Sequence, residues 1–150
     1  MARIRVTKEF AFEAAHMLEG YDGHCSQIHG HSYRLFVTII GSPIEDPSNP
    51  KCGMVMDFGD LKRIVNKVVI EPFDHSFIIK RSETNSPLID TLNNQYQRIV
   101  VVDYQPTCEN MVSQFARRIA EHLPSGVSLH NIRLYETAQS YAEWDAADNI

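Results

Sequence analysis

The sequence predicts an α+β fold, in which strands and two amphipathic helices occupy separate stretches of the chain. Residues 3–12 and residues 29–40 alternate apolar and polar side chains, as strands with one buried face do. Two later stretches, from Asp57 to Pro72 and from Thr107 to Leu123, repeat apolar residues at helical spacing. Further strands are expected before the first helix, between the two helices and after the second helix.

The helix boundaries follow from capping and breaking residues. Asp57 and Thr107 are suited to cap the first and second helices, and Pro72 is expected to end the first. The apolar stripes are Leu61, Ile64, Val65, Val68 and Val69 in the first helix and Met111, Phe115, Ile119 and Leu123 in the second.

Further strands and one long loop complete the expected fold. The expected strands are 53–57, 98–103, 127–137 and 141–144. Residues 80–97 are polar and irregular, which predicts a long loop with one short helical turn near Leu88. Residues 145–150 are expected to be a frayed tail.

Composition limits the function classes. The chain has 150 residues, 43% of them hydrophobic, which fits one domain over residues 1–150. A net charge of −5 without a basic stripe argues against nucleic acid as a partner. No apolar run suggests a membrane span or signal peptide, and three cysteines without framework spacing predict no disulfide. We therefore expect a cytoplasmic protein.

Three histidines form a candidate metal site. His29 and His31 are two positions apart on a predicted strand, so both imidazoles project from one face. His16, at the exit of the preceding strand, could complete the set. Three histidines with an open fourth position are typical of catalytic zinc, whereas structural sites are more often closed by four ligands. The alternative is that the His-x-His pattern is incidental.

Other titratable residues are candidates for catalysis, although each has a simpler explanation. Cys25 lies in the loop just before the histidine strand, where a reactive thiol would be near the metal. Asp74 and His75 are adjacent, and on local evidence they favour a surface turn, because neighbouring strand side chains point apart. Glu109 is equally well explained as a first-turn residue of the second helix.

Glu136 is a candidate ligand anchor. It continues the apolar face of Ile132 and Leu134, and a carboxylate there needs a partner because burying an unpaired charge is costly. The alternatives are that Glu136 lies beyond the buried part of the strand, or that it pairs with Arg133 or Arg34.

Taken together, these segments resemble the 6-pyruvoyltetrahydropterin synthase family, and within it the branch that forms 6-carboxytetrahydropterin. The resemblance covers nearly the whole chain in sequential order. It is carried by Phe12-Glu13-Ala14-Ala15-His16, Cys25-x-x-x-His29-Gly30-His31, Asp57-Phe58-x-x-Leu61-Lys62, Asp74-His75, Pro106-Thr107-x-Glu109-Asn110 and Glu136-Thr137. The chain departs from compact bacterial members mainly in a longer segment between His75 and Pro106.

The resemblance implies a fold and an assembly. The fold is the tunnelling fold (T-fold), a four-stranded antiparallel sheet with two helices packed on one face. Subunits of the family close into a trimeric β-barrel, and trimers pair as a homohexamer with active sites at subunit interfaces.

The resemblance also implies residue roles. His16, His29 and His31 correspond to the ligands of one Zn²⁺ per subunit, and Cys25 corresponds to the catalytic thiol. The acid/base pair, which acts across a subunit boundary, corresponds to Asp74 and His75. The residues implied to bind the pterin are Glu136, Thr107 and Glu109.

The implied reaction converts 7,8-dihydroneopterin triphosphate and water into 6-carboxytetrahydropterin, acetaldehyde and triphosphate, in queuosine biosynthesis. Three residues separate Cys25 from His29, as in this branch, whereas animal pyruvoyl-forming enzymes have a longer gap. The alternatives are a 6-pyruvoyltetrahydropterin synthase, a non-catalytic zinc- or pterin-binding protein, and an unrelated three-histidine hydrolase.

Overall fold

A six-stranded mixed sheet organises the chain in the computed structural model, which describes all 150 residues. The strands are β1 (Ile4–His16), β2 (His29–Gly41), β3 (Ser76–Lys80), β4 (Ile99–Val102), β5 (Val127–Thr137) and β6 (Ser140–Asp145). Their order across the sheet is β4-β3-β1-β2-β5-β6. The pairs β1–β2, β2–β5 and β5–β6 are antiparallel, whereas β3 lies parallel to both β1 and β4.

Three helices accompany the sheet. Helix α1 (Phe58–Val65) continues through a π-helical segment (Asn66–Ile70) into a last α-helical turn (Glu71–Phe73), and it is followed by α2 (Ser86–Asn94) and α3 (Cys108–Ala120). Short 3₁₀ turns cover His24–Ser26 and Ala146–Asp148. None of these helices has the length and apolar content needed to span a membrane.

The helix-facing side of the sheet forms the core. Even-numbered residues of β1 and odd-numbered residues of β2 point into it, as the sequence alternation predicts, and they meet the apolar stripes of α1 and α3. Phe12 stacks on Tyr33 at a centroid distance of 4.9 Å and meets the edge of Phe115 at 5.9 Å. The opposite side of β1 and β2 is largely exposed.

The predicted caps of both long helices are present. The Asp57 carboxylate accepts a hydrogen bond from the Gly59 N–H at 2.7 Å, and the Thr107 hydroxyl accepts one from the Asn110 N–H at 3.2 Å. These bonds fix where each helix begins, and Thr107 thereby sets the start of α3 close to His16 at the end of β1.

The π-helical segment has a local cause at Pro72. Proline has no N–H, so Pro72 cannot donate to the Val68 carbonyl four residues earlier. The Arg118 guanidinium of α3 donates to that carbonyl instead, at 3.2 Å, and also lies 5.1 Å from the Phe73 ring centroid. The helix therefore runs one residue past Pro72, to Phe73, rather than ending at the proline.

Two strand predictions need correction. The four antiparallel strands expected from the resemblance are present as β1, β2, β5 and β6, but the sheet also carries β3 and β4 in parallel, so it is six-stranded and mixed. The short strand expected at 53–57 is wrong. That stretch is a turn, in which Ile44 exchanges hydrogen bonds with Gly53 and Met54 and Gly53 has a φ of +88°.

The long loop expected at 80–97 is also wrong in its centre, because α2 spans nine residues there rather than one short turn. Leu88, Ile89 and Leu92 give the helix a short, half-buried apolar stripe, but the polar and turn-forming residues around it make that stripe hard to recognise in the sequence. The strand expected within 98–103 is present as β4.

Candidate metal centre and active site

Three histidines meet at one end of the sheet because of the register between β1 and β2. His16 is directly opposite His29, and His31 is opposite Ala14, two residues before His16. All three side chains are on the helix-facing side, where the strand alternation places them. The ring centroid of His16 lies 4.5 Å from that of His29 and 5.1 Å from that of His31. The sequence expectation of a shared face is confirmed.

Backbone carbonyls orient two of the rings. The Nδ1 of His16 donates to the Pro106 carbonyl at 2.7 Å, and the Nδ1 of His29 donates to the Gln27 carbonyl at 2.7 Å. Because each ring carries its proton on Nδ1, the Nε2 lone pairs of His16 and His29 both point to the centre of the cluster. The two Nε2 atoms are 3.0 Å apart there. Two lone pairs at this distance repel each other unless a proton or a cation lies between them.

Glu136 completes the cluster. Its Oε1 is 2.9 Å from the His31 Nε2 and 3.6 Å from the His16 Nε2. The ligating atoms of His16, His29, His31 and Glu136 all lie within 4.8 Å of one another. The alternative ion pairs are excluded, because Arg34 pairs with Glu9 and Arg133 pairs with Glu143, and the side chain of Glu136 is only 23% exposed.

The donor set fits a divalent metal ion such as zinc. The buried His31 Nε2 makes no hydrogen bond of acceptable geometry, despite its 2.9 Å contact with Glu136, and the buried Tyr33 hydroxyl beside it has no partner at all. Burial lowers the pKa of His31, which favours the neutral imidazole that binds metal. The contacts with His16 and His31 lower the pKa of Glu136 against the effect of its burial, which favours the carboxylate.

Asp74 and His75 form a second polar group beside this end of β1. The Asp74 Oδ1 is 2.9 Å from the His75 Nδ1 and also accepts the Glu13 N–H at 2.9 Å. The His75 N–H donates to the Glu13 carbonyl at 2.6 Å, and Arg98 Nε donates to the Asp74 carbonyl at 3.0 Å. His75 has a φ of +58°, a conformation that costs a non-glycine residue free energy.

The Asp74–His75 pair opens to the other side of the sheet. His75 lines a shallow cavity of about 320 Å³ together with Glu13 and Ser32, whose exposed side chains are hydrogen-bonded at 2.7 Å. The side chain of His75 is 77% exposed, whereas His16 is 1% exposed. A single chain therefore brings the three histidines together, but its own Asp74 and His75 are not part of that cluster.

Cys25 is the cysteine nearest in sequence to the histidine strand. It lies in the 3₁₀ turn His24–Ser26, is half-buried, and its carbonyl accepts the Leu18 N–H at 2.9 Å. Its sulfur is not one of the converging ligand atoms. The buried Cys108 is unsuited to be a nucleophile or base, because burial raises the pKa of its thiol to about 11 and its S–H donates to the Leu134 carbonyl.

Of the predicted pterin-binding residues, Glu109 and Glu136 line one cavity, whereas Thr107 does not line it. A cavity of about 140 Å³ borders Glu136, Glu109 at the start of α3, and Ser140 at the start of β6. Thr107 is confirmed as the cap of α3, whereas Glu109 makes no ion pair and faces this cavity. Glu136 thus lies between the histidine cluster and a small cavity of mixed polar and apolar lining.

Sequence reasoning missed the groups that hold the histidines. The carbonyls of Pro106 and Gln27 orient two rings, and Gln105 exchanges hydrogen bonds with the backbone of Glu19 at 3.1 and 2.8 Å. Carbonyl groups carry no signal in a sequence. For Gln105, its position just before the Pro106-Thr107 segment was the only available clue.

The fold and the cluster define a class of protein in which a cluster of residues that could hold a metal ion is built at one end of an antiparallel strand pair and borders a small cavity. Comparison with known proteins identifies the family. A model of the 6-pyruvoyl tetrahydropterin synthase family matches residues 5–147. The chain belongs to this family.

Named relatives agree with this assignment. The chain is 37% identical over 141 residues to the 6-carboxy-5,6,7,8-tetrahydropterin synthase of Haemophilus influenzae, covering 93% of this chain and 97% of that protein. It is 31% identical to the protein of the same name from Rickettsia felis, covering 93% and 99%. The fold matches the 6-pyruvoyl tetrahydropterin synthase of Caenorhabditis elegans with a TM-score of 0.68, at 21% identity and 97% coverage of each chain.

Proposed function

We propose that the protein is a 6-carboxytetrahydropterin synthase, which converts 7,8-dihydroneopterin triphosphate and water into 6-carboxytetrahydropterin, acetaldehyde and triphosphate. The relatives from Haemophilus and Rickettsia are named for this activity, and their sequences align with nearly the whole chain, which supports the proposal. The proposal places the enzyme in the cytoplasm, in queuosine biosynthesis.

The observation that carries the proposal is the convergence of three imidazole Nε2 atoms with a carboxylate beside them. We assign His16, His29 and His31 as the ligands of one Zn²⁺ per subunit. Bound zinc would polarise the hydroxyls and carbonyls of the substrate side chain and lower their pKa. The carbonyls of Pro106 and Gln27 hold the rings of His16 and His29 in the tautomer that this role requires.

Cys25, Asp74 and His75 are assigned to proton transfer. A thiol before the histidine strand could remove a side-chain proton as thiolate, and an imidazole could return one to the ring, with Asp74 orienting His75 by the 2.9 Å contact. In the isolated chain His75 faces away from the cluster that Cys25 precedes. We therefore propose that His75 acts at the metal centre of a neighbouring subunit, in a trimeric barrel that pairs into a hexamer.

Glu136, Thr107 and Glu109 are assigned to the pterin. A carboxylate can accept two hydrogen bonds from the amino-pyrimidine edge of a pterin, which fixes its orientation. The cavity between Glu136 and Glu109 supports this assignment, because it adjoins the histidine cluster where the side chain of the substrate would lie.

The second candidate is a 6-pyruvoyltetrahydropterin synthase, which eliminates triphosphate without cleaving the side chain. The structural match to the Caenorhabditis elegans enzyme concerns the fold alone. The three-residue spacing between Cys25 and His29 favours the carboxy-forming reaction. A non-catalytic binding protein would have no need of Cys25, Asp74 and His75, and a three-histidine hydrolase would have no need of a pterin anchor.

Product analysis tests the proposal. Zinc-loaded protein is incubated with 7,8-dihydroneopterin triphosphate, acetaldehyde is trapped, and the pterin products are identified by mass spectrometry. We expect acetaldehyde and 6-carboxytetrahydropterin in equal amounts. Pyruvoyltetrahydropterin without acetaldehyde would assign the protein to the second candidate, and pterin binding without turnover would support a non-catalytic role.

A further inference from the structure

The Cys25 loop, residues 17–28, connects β1 to β2 and has one main point of attachment to the rest of the molecule. Within the loop, the Leu18 N–H donates to the Cys25 carbonyl at 2.9 Å. Apart from the contact that orients His29, every hydrogen bond and ion pair between the loop and other segments is made by Glu19. Glu19 therefore provides the polar attachment of the loop that contains Cys25.

Two different segments hold Glu19. Its carboxylate accepts the Ser82 hydroxyl at 2.8 Å, and its second oxygen is 3.8 Å from the Lys80 ammonium. Its backbone N–H donates to the Gln105 side-chain oxygen at 3.1 Å, and its carbonyl accepts the Gln105 side-chain N–H at 2.8 Å. Glu19 is thus held through its side chain by the end of β3 and the residues after it, and through its backbone by Gln105.

Ser82 is itself fixed by Asn85, immediately before α2. Asn85 is 3% exposed and its N–H donates to the Ser82 hydroxyl oxygen at 3.1 Å. Its side-chain N–H donates to the Lys80 carbonyl at 2.9 Å. The Ser82 oxygen accepts from Asn85 and donates its own proton to Glu19, so both of these bonds are made at once. A buried residue that bonds both ends of this turn fixes its shape.

Gln105 links the same contacts to the histidine cluster. The carbonyl of the next residue, Pro106, accepts the His16 Nδ1–H at 2.7 Å. The Asn110 side chain donates to the Gln105 carbonyl at 3.0 Å, which fixes the backbone of Gln105 against α3. Two consecutive residues therefore position both His16 and Glu19.

We propose that Glu19 is a positioning residue for Cys25: bound by Ser82 and Gln105, it keeps the Cys25 thiol in one orientation relative to the histidine cluster. The connection is short, because Leu18, next to Glu19, donates to the Cys25 carbonyl. A group that transfers a proton must lie within hydrogen-bond reach of the reacting atom, and a displacement of about 1 Å can cost about 10²-fold in rate. The catalytic half of this inference rests on the proposed function, whereas the attachment of the loop does not.

Alkylation of Cys25 measures the attachment of the loop without any substrate. Zinc-loaded wild type, Glu19→Ala, Glu19→Gln and the control Glu83→Ala are treated with iodoacetamide, and the modified peptides are quantified over time by mass spectrometry. Cys52 is exposed and serves as the internal reference in every sample. We expect Glu19→Ala to raise the ratio of the Cys25 rate to the Cys52 rate on the order of 10-fold, because local opening exposes the half-buried thiol.

The control variants separate this contact from other effects. Glu19→Gln should leave the ratio unchanged, because glutamine keeps an oxygen that accepts the Ser82 hydroxyl and loses only the 3.8 Å contact with Lys80. Glu83→Ala should also leave it unchanged, because Glu83 is exposed and forms no ion pair. Ser82→Ala should give part of the Glu19→Ala effect, and the double variant no more than Glu19→Ala alone, because both act through one contact. An unchanged ratio in Glu19→Ala would overturn the proposal.

Steady-state kinetics test the catalytic half. Glu19→Ala should lower kcat about 10–100-fold with an unchanged KM for 7,8-dihydroneopterin triphosphate, because a misplaced thiol weakens transition-state stabilisation and not substrate binding. Glu19→Gln should keep the wild-type kcat. A raised alkylation ratio at Cys25 with an unchanged kcat in Glu19→Ala would overturn the positioning role.

Failure of this inference differs from failure of the proposed activity. A wild type without turnover would refute the activity, and the alkylation ratio would still decide whether Glu19 holds the loop. A wild type that forms 6-carboxytetrahydropterin, with the same kcat in Glu19→Ala, would refute only the positioning of Cys25.

Discussion

The histidine cluster and the Asp74–His75 turn differ in how completely one chain builds them, although both adjoin the same end of β1. In the cluster His16 is buried and the other residues are half-buried, and two of its rings are oriented by backbone carbonyls at 2.7 Å. The turn is exposed, opens to the other side of the sheet, and has His75 at a φ of +58°.

The two regions differ in how far one chain can preorganise their residues. The register of two long strands is sufficient to preorganise metal ligands within one chain. The conformation of Asp74 and His75 is maintained by three hydrogen bonds to Glu13 and Arg98, yet neither residue is part of the histidine cluster of its own chain. A strained and well-braced residue facing outward suits the proposed completion of the site by a second subunit.

Removing a histidine from the cluster should have the largest effect. His29→Ala takes away one of three imidazoles and exposes the lone pairs of the others to water, so we expect zinc content near zero and activity reduced more than about 10³-fold. His122→Ala is the matched control, because His122 is exposed and only donates to the Arg118 carbonyl at 2.8 Å. Metal analysis and steady-state rates measure both, and full zinc occupancy in His29→Ala would refute the ligand assignment.

Mixing two inactive variants should distinguish the two regions directly. Cys25→Ala and His75→Ala should each keep zinc and lose about 10²–10⁴-fold in rate, as expected for loss of an acid/base group. If each site takes Cys25 from one chain and His75 from its neighbour, hybrid oligomers formed at equal ratio should recover about a quarter of wild-type activity.

Complementation requires co-expression of the two variants with different tags, followed by purification of hybrids on both tags. No recovery of activity in such hybrids would show that Cys25 and His75 act within one chain or not at all. Loss of zinc from Cys25→Ala would make Cys25 a metal ligand and remove its assignment as the thiol that transfers a proton.

Local strand geometry, unlike contacts between strands, could be predicted from the sequence. The shared face of His29 and His31 follows from the two-residue period of a strand, and no tertiary information is needed. The contact with His16 depends on the register of β1 against β2, which a connection of twelve residues does not determine. For that contact the family resemblance was decisive.

The sequence predictions that the structure corrects also have physical reasons. The apolar stripe of α2 is limited to Leu88, Ile89 and Leu92 and is flanked by polar and turn-forming residues, so the sequence of 80–97 predicts a loop. Strand β3 has five residues and follows directly after the Asp74–His75 turn, where the apolar residues were too few to show a period. The positive φ of His75 has no signal in the sequence, because glycine or asparagine is the usual residue in that conformation.

The smallest predicted effect concerns the strain at His75. Glycine adopts a positive φ without steric cost, so His75→Gly should raise the free energy of unfolding of the metal-free protein by about 0.5–1 kcal/mol, net of the entropy that glycine loses. The exposed contact between His75 and Asp74 contributes little to stability. Activity should nevertheless be lost with the imidazole.

Tyr96 is a matched control for the expectation that His75→Gly gains stability but loses activity. It has the same φ of +58° and is 96% exposed, at the end of α2 and away from the cluster. Tyr96→Gly should therefore give a similar gain in urea unfolding and keep wild-type turnover. If both variants are stabilised but only His75→Gly is inactive, the strain at His75 is tolerated for function. If His75→Gly is instead destabilised, the contacts of the side chain outweigh the strain, and the turn is a structural element rather than half of an active site.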